Sequence, residues 1–418
     1  MNCDKQKNRH RQFIRTLGVL LLALAAWAPR AQAQTSCDVA SFGFTASAED
    51  NTAALGRVLA GCAGREILFP AGTFVFRPSG YAQGLTVPTG TTLQGAGSVS
   101  QAQTVFQIAD SGTFASLLWI RNDSHIAIRD IRFEGSHYDS GCSRRLDYGH
   151  AIYIESDKNA PASVEDISIT GNVLHNFNGM SWVTVNAQDG SPGIGHSSLI
   201  AISKNAFVSD SALVGGCAAL GINYSVAMIS LHGSDESNQG IVENVSIASN
   251  AFDAGYVKQA VSIWSGTSRI SVQYNTIREA GARLAAASGE LGRYAINIYN
   301  SAHEKPGLHP SDIKVVGNTI ENPVSCGVYV AGGRKIEISR NHISGQSDPY
   351  DVTLPKGGIA LNHAEDSSVT DNDLRNNHIG ITVVVGTVSV QGNSVAPAAN
   401  GIRTKIWQSD HAPPQIQR

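Results

Sequence analysis

A repeated pattern of short strands and asparagine turns governs how this chain can fold. The stretch 241–277 shows it: alternating apolar residues lead to a turn at Asn250, a second alternating run closes at Gly266, and a third reaches a turn at Asn275. Alternation with a period of two predicts strands, and the turn residues between the runs leave no room for a helix. The stretch therefore predicts laps of a coil built only from strands and turns.

The same signature, apolar-x-apolar-x-x-Asn-x-apolar, recurs along most of the chain. Its asparagines are Asn172, Asn205, Asn250, Asn275, Asn318, Asn341, Asn372 and Asn393. Asp130 is expected to hold the same position in an earlier lap. Repeats of this length that contain only strands and turns predict an all-β solenoid, a parallel β-helix. Its laps must stack, because no single lap can bury its apolar side.

Residues 1–33 have the features of a secretory signal peptide. Basic residues precede an apolar stretch that begins at Thr16, and residues 31–33 form a cleavage site of the A-x-A type. The apolar stretch is too short to span a membrane, and no cysteine directly follows the cleavage site to carry a lipid anchor. We therefore expect the mature protein in the bacterial periplasm or outside the cell, without membrane insertion.

The charge of the mature chain argues against a general attraction to polyanions. The full sequence has 31 Lys and Arg residues against 34 Asp and Glu residues. Removal of residues 1–33 takes away six basic residues and one acid, which leaves 25 against 33 and a net charge of −8. We therefore expect no nucleic-acid partner, and an anionic substrate needs a local cluster of basic residues.

Five cysteines remain after this removal, and an oxidising compartment favours disulfides between them. Cys37 and Cys62 flank the first predicted helix and are natural partners. Closing a loop of that size stabilises a fold by about 3 kcal/mol in the chain-entropy model. Cys142 and Cys217, both in Gly-rich insertions, are the second candidate pair. Cys326 is then the odd cysteine, on a strand where burial is expected.

One helix is predicted, over residues 50–62. Asp50 or Asn51 can cap it, and its apolar face consists of Ala54, Leu55, Val58 and Leu59. The sequence EILFPAGTFVF that follows predicts a hairpin, and helix and hairpin together are expected to close the open end of the coil. The expected organisation is a signal peptide at 1–33, an N-terminal cap with the first coils at 34–105, β-helix repeats at 106–406 and a disordered tail at 407–418.

The segment FGF…EDNTAALGRVLAGCAGREILFPAGTFVF resembles the entry segment of the pectate-lyase-like right-handed β-helix superfamily, in its polygalacturonase-related branch. The shared pattern is Phe-Gly, then Asp-(Asn/Asp)-Thr-Ala-Ala-Leu, then apolar-Pro-Ala-Gly-Thr-(Phe/Tyr). With the asparagine turns, the resemblance covers nearly all of residues 37–406 and implies a right-handed coil of single strands. It implies no one activity, because the superfamily contains lyases, hydrolases, epimerases, phage tail spikes and non-enzymes.

Alternation also predicts which side chains point outward from the strands between the asparagine turns. In chain order these are Tyr153, Glu155, Thr184, Asn186, Ser230, His232, Ser262, Trp264, Asn297, Tyr299, Tyr329, Ala331, Ala360, Asn362, Thr382 and Val384, with Arg403 and Lys405 on a last strand. Aromatic and amide side chains in a row suit sugar rings, which present apolar C–H faces and many hydroxyls. We therefore predict a binding cleft, against the simpler interpretation of a solvated sheet whose aromatics pack on loops.

The substrate-binding candidates on this face share aromatic, amide or carboxylate side chains. They are Tyr153, Glu155, Asn186, Trp264, Asn297, Tyr329 and Asn362. The turn asparagines are interpreted as structural instead. An asparagine tolerates the left-handed conformation, and its amide can bond the amide of the next lap.

His232 is the main catalytic candidate. A loop with Asp235 and Glu236 follows it, and an imidazole that titrates near neutrality can move a proton beside a carboxylate. Tyr299 and Lys258 are candidate partners as base or acid, together with Tyr153. The alternative interpretation is a surface histidine in a polar loop.

Two chemistries compete on this face. A hydrolase needs two carboxylic acids about 5 to 9.5 Å apart, and neighbouring laps offer no obvious facing pair. The available acids are Glu155, Asp235, Glu236, Glu365 and Asp366. A lyase or C5-epimerase removes the proton beside a uronate carboxylate, and His232, Tyr299 or Lys258 suits that role better. The paired aspartates of polygalacturonases and the Asp-Pro-His-Asp signature of uronate epimerases are absent.

The sequence thus predicts a secreted polysaccharide-processing enzyme of the lyase type, acting by β-elimination on a uronate-containing polysaccharide along the outward strand face. A glycoside hydrolase is the second enzyme hypothesis. A non-catalytic carbohydrate-binding or envelope protein is the alternative from another class. No metal-ligand set is predicted, calcium is the one candidate cofactor, and the sugar and the oligomeric state stay open.

Overall fold

The strand–turn repeats stack as laps of a parallel coil, as the sequence predicts, and the structure shows three strands in each lap. The computed structural model describes residues 37–78, 84–98, 100–109, 116–135, 149–156, 163–177, 180–187, 195–210, 226–233, 240–283, 293–300, 309–347 and 356–406. The predicted signal peptide and tail lie outside these residues. So do the proposed pair Cys142 and Cys217, the acids Asp235 and Glu236, and the side chains of Arg403 and Lys405.

Two short helical segments precede the strands. They are a 3-10 helix at Val39–Phe42 and the α-helix α1 at Thr52–Gly61. The strands of the first half are β1 (Glu66–Leu68), β2 (Gly72–Phe76), β3 (Leu85–Thr86), β4 (Thr92–Gln94), β5 (Thr104–Ile108), β6 (Ser116–Arg121), β7 (Ile126–Arg129), β8 (Arg132–Glu134), β9 (His150–Ser156), β10 (Ser163–Thr170), β11 (Val173–His175), β12 (Ser181–Ala187), β13 (His196–Ser203) and β14 (Ala206–Val208).

The second half has longer strands toward its end. They are β15 (Ala227–His232), β16 (Ile241–Ala248), β17 (Ala251–Asp253), β18 (Gln259–Ile263), β19 (Thr267–Gln273), β20 (Thr276–Arg278), β21 (Tyr294–Tyr299), β22 (Ser311–Val316), β23 (Thr319–Glu321), β24 (Cys326–Ser339), β25 (His342–Ser344), β26 (Gly357–Thr370), β27 (Asp373–Val383), β28 (Gly386–Gln391) and β29 (Ser394–Ile406).

Every strand pairs in parallel with its counterpart in the next lap, which produces three ladders. Sheet A contains β1, β4, β7, β10, β13, β16, β19, β22, the ends of β24 and β26, and β28. Sheet B contains β2, β5, β8, β11, β14, β17, β20, β23, β25 and the starts of β27 and β29. Sheet C contains β3, β6, β9, β12, β15, β18, β21, the starts of β24 and β26, and the ends of β27 and β29.

The long strands run from one ladder into the next, so that all 29 strands join in one sheet around a common interior. That interior is filled by the apolar residues that alternate along the strands with the predicted outward-facing ones. Val261, Ile263, Ile296 and Ile298 are fully buried. Parallel pairing from lap to lap confirms the predicted parallel β-helix.

The turn asparagines form an amide ladder between sheets A and B, as predicted. From Asn172 to Asn393, each Nδ2 donates to the Oδ1 of the next asparagine over 2.9 to 3.1 Å. The left-handed conformation, however, belongs to the residue before each asparagine, for example Lys204, Ser249 and Tyr274. The prediction that the asparagine itself adopts it is therefore wrong.

Asp130 does not hold the ladder position assigned to it. Its φ is 58°, which places it at the left-handed position, and the backbone N–H of Ile131 donates to Asn172 Oδ1. Ile131 therefore occupies the asparagine position of that lap. The reason is spacing, since the turn there has the same length as in later laps and the acid stands one residue too early.

The N-terminal segment covers the first lap. Helix α1 buries the four predicted apolar residues, and the Asp50 carboxylate accepts hydrogen bonds from the backbone N–H and the hydroxyl of Thr52. A disulfide joins Cys37 to Cys62, as predicted, with their Cα atoms 6.1 Å apart. Cys326 is buried, also as predicted.

The predicted hairpin after the helix is wrong. Strands β1 and β2 do not pair with each other, because β1 pairs with β4 and β2 pairs with β5, both in parallel. The Pro-Ala-Gly turn is thus a corner of the coil, and β1 and β2 are already the first lap. Within the described residues, no helix is long and apolar enough to cross a membrane.

Candidate functional site

The outer face of sheet C carries the predicted outward side chains in two columns. The central column is Trp119, Tyr153, Thr184, Ser230, Ser262, Asn297, Tyr329, Ala360 and Thr382. The end column, two residues further along each strand, is Arg121, Glu155, Asn186, His232, Trp264, Tyr299, Ala331 and Asn362. Neighbours within a column stand about 4.8 Å apart.

Three rings line up in the end column, as the sequence predicts. The His232 and Trp264 ring centroids are 5.5 Å apart, and those of Trp264 and Tyr299 are 5.0 Å apart in an edge-to-face arrangement. All three side chains are half-buried. Such a row offers an imidazole beside two aromatic surfaces on which an apolar sugar face can rest.

A hydrogen-bonded group lies next to this row. Asn186 Nδ2 donates to the Tyr153 hydroxyl over 2.9 Å, and that hydroxyl donates to Glu155 Oε1 over 3.4 Å. Glu155 is 4% exposed, and Asn186 is the register neighbour of His232. The structure thus connects a buried carboxylate, a phenol and an amide to the side chain that the sequence singles out.

A pocket of about 220 Å³ opens between the laps that carry these groups. Its described lining consists of His150, Tyr153, Met180, Ser181, Thr184, Asn186, Val226, Ala227, Ser230, His232, Ser262 and Trp264. This lining contains hydroxyls, an amide, two imidazoles and apolar walls, and none of these described residues is an acid, a lysine or an arginine. The pocket brings together four predicted site residues and several that the sequence did not indicate.

His150 is the main residue that sequence reasoning missed. Strict alternation assigns it to the same side as Ile152, which faces the core. In the structure both Ala151 and Ile152 are fully buried, so the alternation breaks at the strand start and His150 lines the pocket. Burial lowers the pKa of His150 to about 4, although the hydrogen bond to the Ser181 carbonyl opposes this shift. The ring is therefore neutral at physiological pH.

Several polar atoms on this face are buried without a hydrogen-bond partner in the described part of the chain. They are Gln259 Oε1, Ser262 Oγ, Asn297 Oδ1, Asn362 Oδ1 and Trp119 Nε1. Ser262 and Asn297 are register neighbours on β18 and β21. Buried polar groups are normally paired, so unpaired ones on one face indicate room for a polar ligand or water.

A second aromatic pair lies further along the face. The Tyr294 and Tyr329 rings stack with centroids 4.4 Å apart. Burial, with smaller contributions from Cys326 and Tyr299, raises the pKa of Tyr329 to about 12, and a hydrogen bond with Asn362 opposes the shift. Tyr329 therefore stays protonated at neutral pH and can contact a ligand, but it cannot act as a base there.

Lys258 does not lie beside His232. It directly precedes β18, whereas Trp264, the neighbour of His232, follows the end of that strand. Six residues of extended chain separate the two positions, roughly 20 Å. Burial and the charge of Arg293, its neighbour in the next lap, lower the pKa of Lys258 to about 8. The structure therefore does not place Lys258 next to His232, and a role for Lys258 as a base or acid stays a prediction.

The remaining acidic candidates lie elsewhere or outside the described residues. Glu365 and Asp366 lie at the start of the sheet A part of β26, and Asp366 pairs with Arg334. Neither faces the pocket. Among the described residues, no group of three or more His, Cys, Asp or Glu side chains is placed to hold a metal ion.

Comparisons with known proteins agree with this architecture. The family described as "Right handed beta helix region" matches residues 259–409. A comparison with curated proteins gave no match. With the parallel ladders described above, this match shows that the chain has the right-handed parallel β-helix fold.

Solved structures of low sequence identity share the fold. PfbA, a surface adhesin of Streptococcus pneumoniae, is 14% identical over 88% of this chain and 93% of its own, with a TM-score of 0.61. DFA-IIIase from Arthrobacter chlorophenolicus is 11% identical over 89% and 92%, with a TM-score of 0.58. A PL6 alginate lyase in complex with a trisaccharide is 13% identical over 91% and 86%, with a TM-score of 0.53. At these identities the likeness shows the fold alone.

Proposed function

We propose that this protein binds a polysaccharide along the outer face of sheet C and cleaves it by β-elimination beside a uronate carboxylate. The observation that supports this most is the pocket in which His232 lies between an aromatic row and the Tyr153–Asn186–Glu155 group. The solved β-helix structures include an alginate lyase with a bound trisaccharide, which fits such a substrate. The disulfide between Cys37 and Cys62 fits an oxidising compartment outside the cytoplasm.

The chemistry assigns a role to each described group. The His232 imidazole takes the proton from the carbon beside the carboxylate, and the electrons of that C–H bond form the new double bond while the bond to the glycosidic oxygen breaks. The Tyr153 hydroxyl, held by Asn186 and Glu155, gives a proton to the departing oxygen. Trp264 and Tyr299 support the sugar rings.

Cations beside the pocket supply the attraction that the acidic chain as a whole lacks. Arg121 is the register neighbour of Glu155, and its guanidinium lies 4.8 Å from the centroid of the Trp119 ring. Val226, which lines the pocket, directly precedes strand β15. Lys258 and Arg293 occupy the same position in the next two laps, directly before β18 and β21. These positions suit uronate carboxylates on either side of the sugar at His232.

Two alternatives make different predictions. A glycoside hydrolase needs a second carboxylate opposite the first, and Glu155 is the one acid of the two described columns. A non-catalytic carbohydrate-binding protein is favoured by the similarity to a surface adhesin. Such a protein binds the polymer and releases no product.

The test is a panel of alginate, polygalacturonate and neutral glucans, each assayed with and without added calcium. We expect one polyuronate to give both the absorbance of unsaturated products and new reducing ends. Reducing ends without that absorbance would indicate a hydrolase. Binding without any product would indicate the non-catalytic function.

The His232→Ala variant tests the base. We expect at least about a hundredfold loss of turnover with an unchanged melting temperature, because a general base contributes about that much or more. His342→Ala is the matched control, since His342 pairs with Asp373 on sheet B, away from the pocket. Full activity in the His232 variant would remove His232 from this role.

A further inference from the structure

One ring nitrogen of His150 is hydrogen-bonded to the backbone, and this bond determines whether the other nitrogen is a donor or an acceptor. Its Nδ1 lies 2.5 Å from the carbonyl oxygen of Ser181 and 3.1 Å from the Thr184 hydroxyl. A carbonyl oxygen only accepts hydrogen bonds, so Nδ1 carries the proton. In a neutral imidazole, Nε2 then has a lone pair. Among the described residues, all hydrogen bonds of His150 are made by Nδ1.

His150 lies in a pocket that also contains other polar groups able to bind a ligand. The side chain is 4% exposed and lines the pocket, and its ring is 4.9 Å from that of Tyr153. At the other end of the pocket, Ser262 Oγ is fully buried without a partner in the described chain. His150 on β9 and Ser262 on β18 are three laps apart, roughly 14 Å. That span holds more than one sugar residue.

We propose that His150 Nε2 accepts a hydrogen bond from a hydroxyl of a sugar in this pocket, so that recognition at this end depends on a hydroxyl donor rather than on charge. The proposal rests on the carbohydrate-binding function above and extends it to a sugar other than the one at His232. The described lining residues that contact His150 are Tyr153, Ser181 and Thr184, and none of them carries a charge, which supports a neutral hydroxyl as the partner at this end. An acceptor held in place on a side chain that is only 4% exposed disfavours a sugar that lacks the matching hydroxyl, since that sugar cannot pair with it.

Long-range proton–nitrogen NMR on protein labelled with ¹⁵N-histidine tests the first step. The signal of His150 is the one that disappears in the His150→Asn variant. We expect an unprotonated Nε2 in the free protein at neutral pH, and a shift of that signal when methyl glucoside or methyl galactoside is added. A proton on Nε2 in the free protein would overturn the proposal.

Two variants separate the acceptor from the structural hydrogen bond. The His150→Asn side chain can still donate to the Ser181 carbonyl but lacks the Nε2 acceptor. We expect it to weaken binding of the methyl glycoside about tenfold, the effect of one hydrogen bond, with an unchanged melting temperature. The His150→Gln side chain places an amide near the Nε2 position and loses the bond to Ser181. We expect it to melt earlier and to bind more tightly than His150→Asn.

The outcomes distinguish this proposal from the enzymatic function. If the glycosides shift the signals of His232 and leave His150 unchanged, this proposal fails and the carbohydrate-binding function stands. If His150 responds but no polymer is cleaved, the elimination chemistry fails and the sugar site stands. Deoxy glycosides, each without one hydroxyl, identify the donor. We expect the parent glycoside to bind wild type more tightly than His150→Asn. The deoxy glycoside that binds both proteins equally well lacks the hydroxyl that donates to His150. Equal binding of the parent glycoside to both proteins would overturn the proposal.

Discussion

The indole ring of Trp264 is the middle ring of the aromatic row. It contacts the His232 ring on one side and the Tyr299 ring on the other. We expect Trp264→Ala to raise KM for the polymer about tenfold, because a stacked aromatic surface contributes on that order, with a smaller effect on kcat. Steady-state kinetics measures this. Tyr274→Ala, at a 62% exposed residue next to sheet A, is the control and should leave both constants unchanged.

Lys258 should make KM for a polyuronate depend on pH. Burial and Arg293 lower the pKa of its ammonium group to about 8, so the free protein loses this charge as the pH rises through that value. If the charge attracts a uronate carboxylate, KM for a polyuronate should increase across this range. Lys258→Arg should keep the low KM at higher pH, since guanidinium does not titrate there. An identical pH profile of KM in both proteins would contradict the role.

At the scale of structural elements, the asparagine ladder sets the stability of the turns. Asn275 donates to the Ile247 carbonyl and to Asn318, and its Oδ1 accepts from the backbone and side chain of Asn250. Asn275→Ala leaves buried donors and acceptors unpaired, each at a cost of about 1–3 kcal/mol.

Asn393 is the matched position at the end of the ladder, where the side chain is half-exposed. Water can replace its hydrogen bonds, so Asn393→Ala should cost less. Urea unfolding checks both variants, and we expect a clearly lower midpoint for Asn275→Ala than for Asn393→Ala. Equal midpoints for the two variants would contradict the expected effect of burial, and midpoints equal to that of wild type would mean that these amides do not stabilise the fold.

At the scale of the whole molecule, stability should depend on pH through a histidine held by two acids. His175 Nε2 lies 2.8 Å from Asp210, and Nδ1 bonds Glu134. Burial lowers the pKa of His175, but the hydrogen bonds and charges of both acids outweigh it and raise the pKa above 6.5. The same contacts lower the pKa values of Glu134 and Asp210 against an opposing effect of burial.

The sign of the effect follows from linkage. The raised histidine pKa gives stability that is complete below pH 6.5 and is lost as the pH rises through the folded-state pKa. The lowered acid pKa values give stability that is complete above pH 4.5 and is lost as the pH falls. The difference in melting temperature between wild type and His175→Gln should therefore be largest between these limits. His125→Gln, in a mostly exposed pair with Asp166, should show almost no difference at any pH.

The amino-acid sequence by itself determined the coil, the buried positions and the outward face. These features depend on local rules, the alternation of side chains along a strand and the conformational preferences of turn residues, and so they repeat in every lap. The burial of Ile263 and the line of His232, Trp264 and Tyr299 follow from alternation and register alone.

Only the tertiary structure decided which residues share a pocket. Asn186 and Tyr153 stand 33 residues apart in the sequence, and stacking of laps brings them into contact. Lys258 lies in the same lap as Trp264, but it precedes the start of β18, whereas Trp264 and its neighbour His232 lie at the strand ends. His150 turned away from the core because two consecutive residues, Ala151 and Ile152, both fill the interior at the corner of the lap. The position of a corner depends on how neighbouring laps pack together. It therefore cannot be predicted from the alternation of side chains along a single strand.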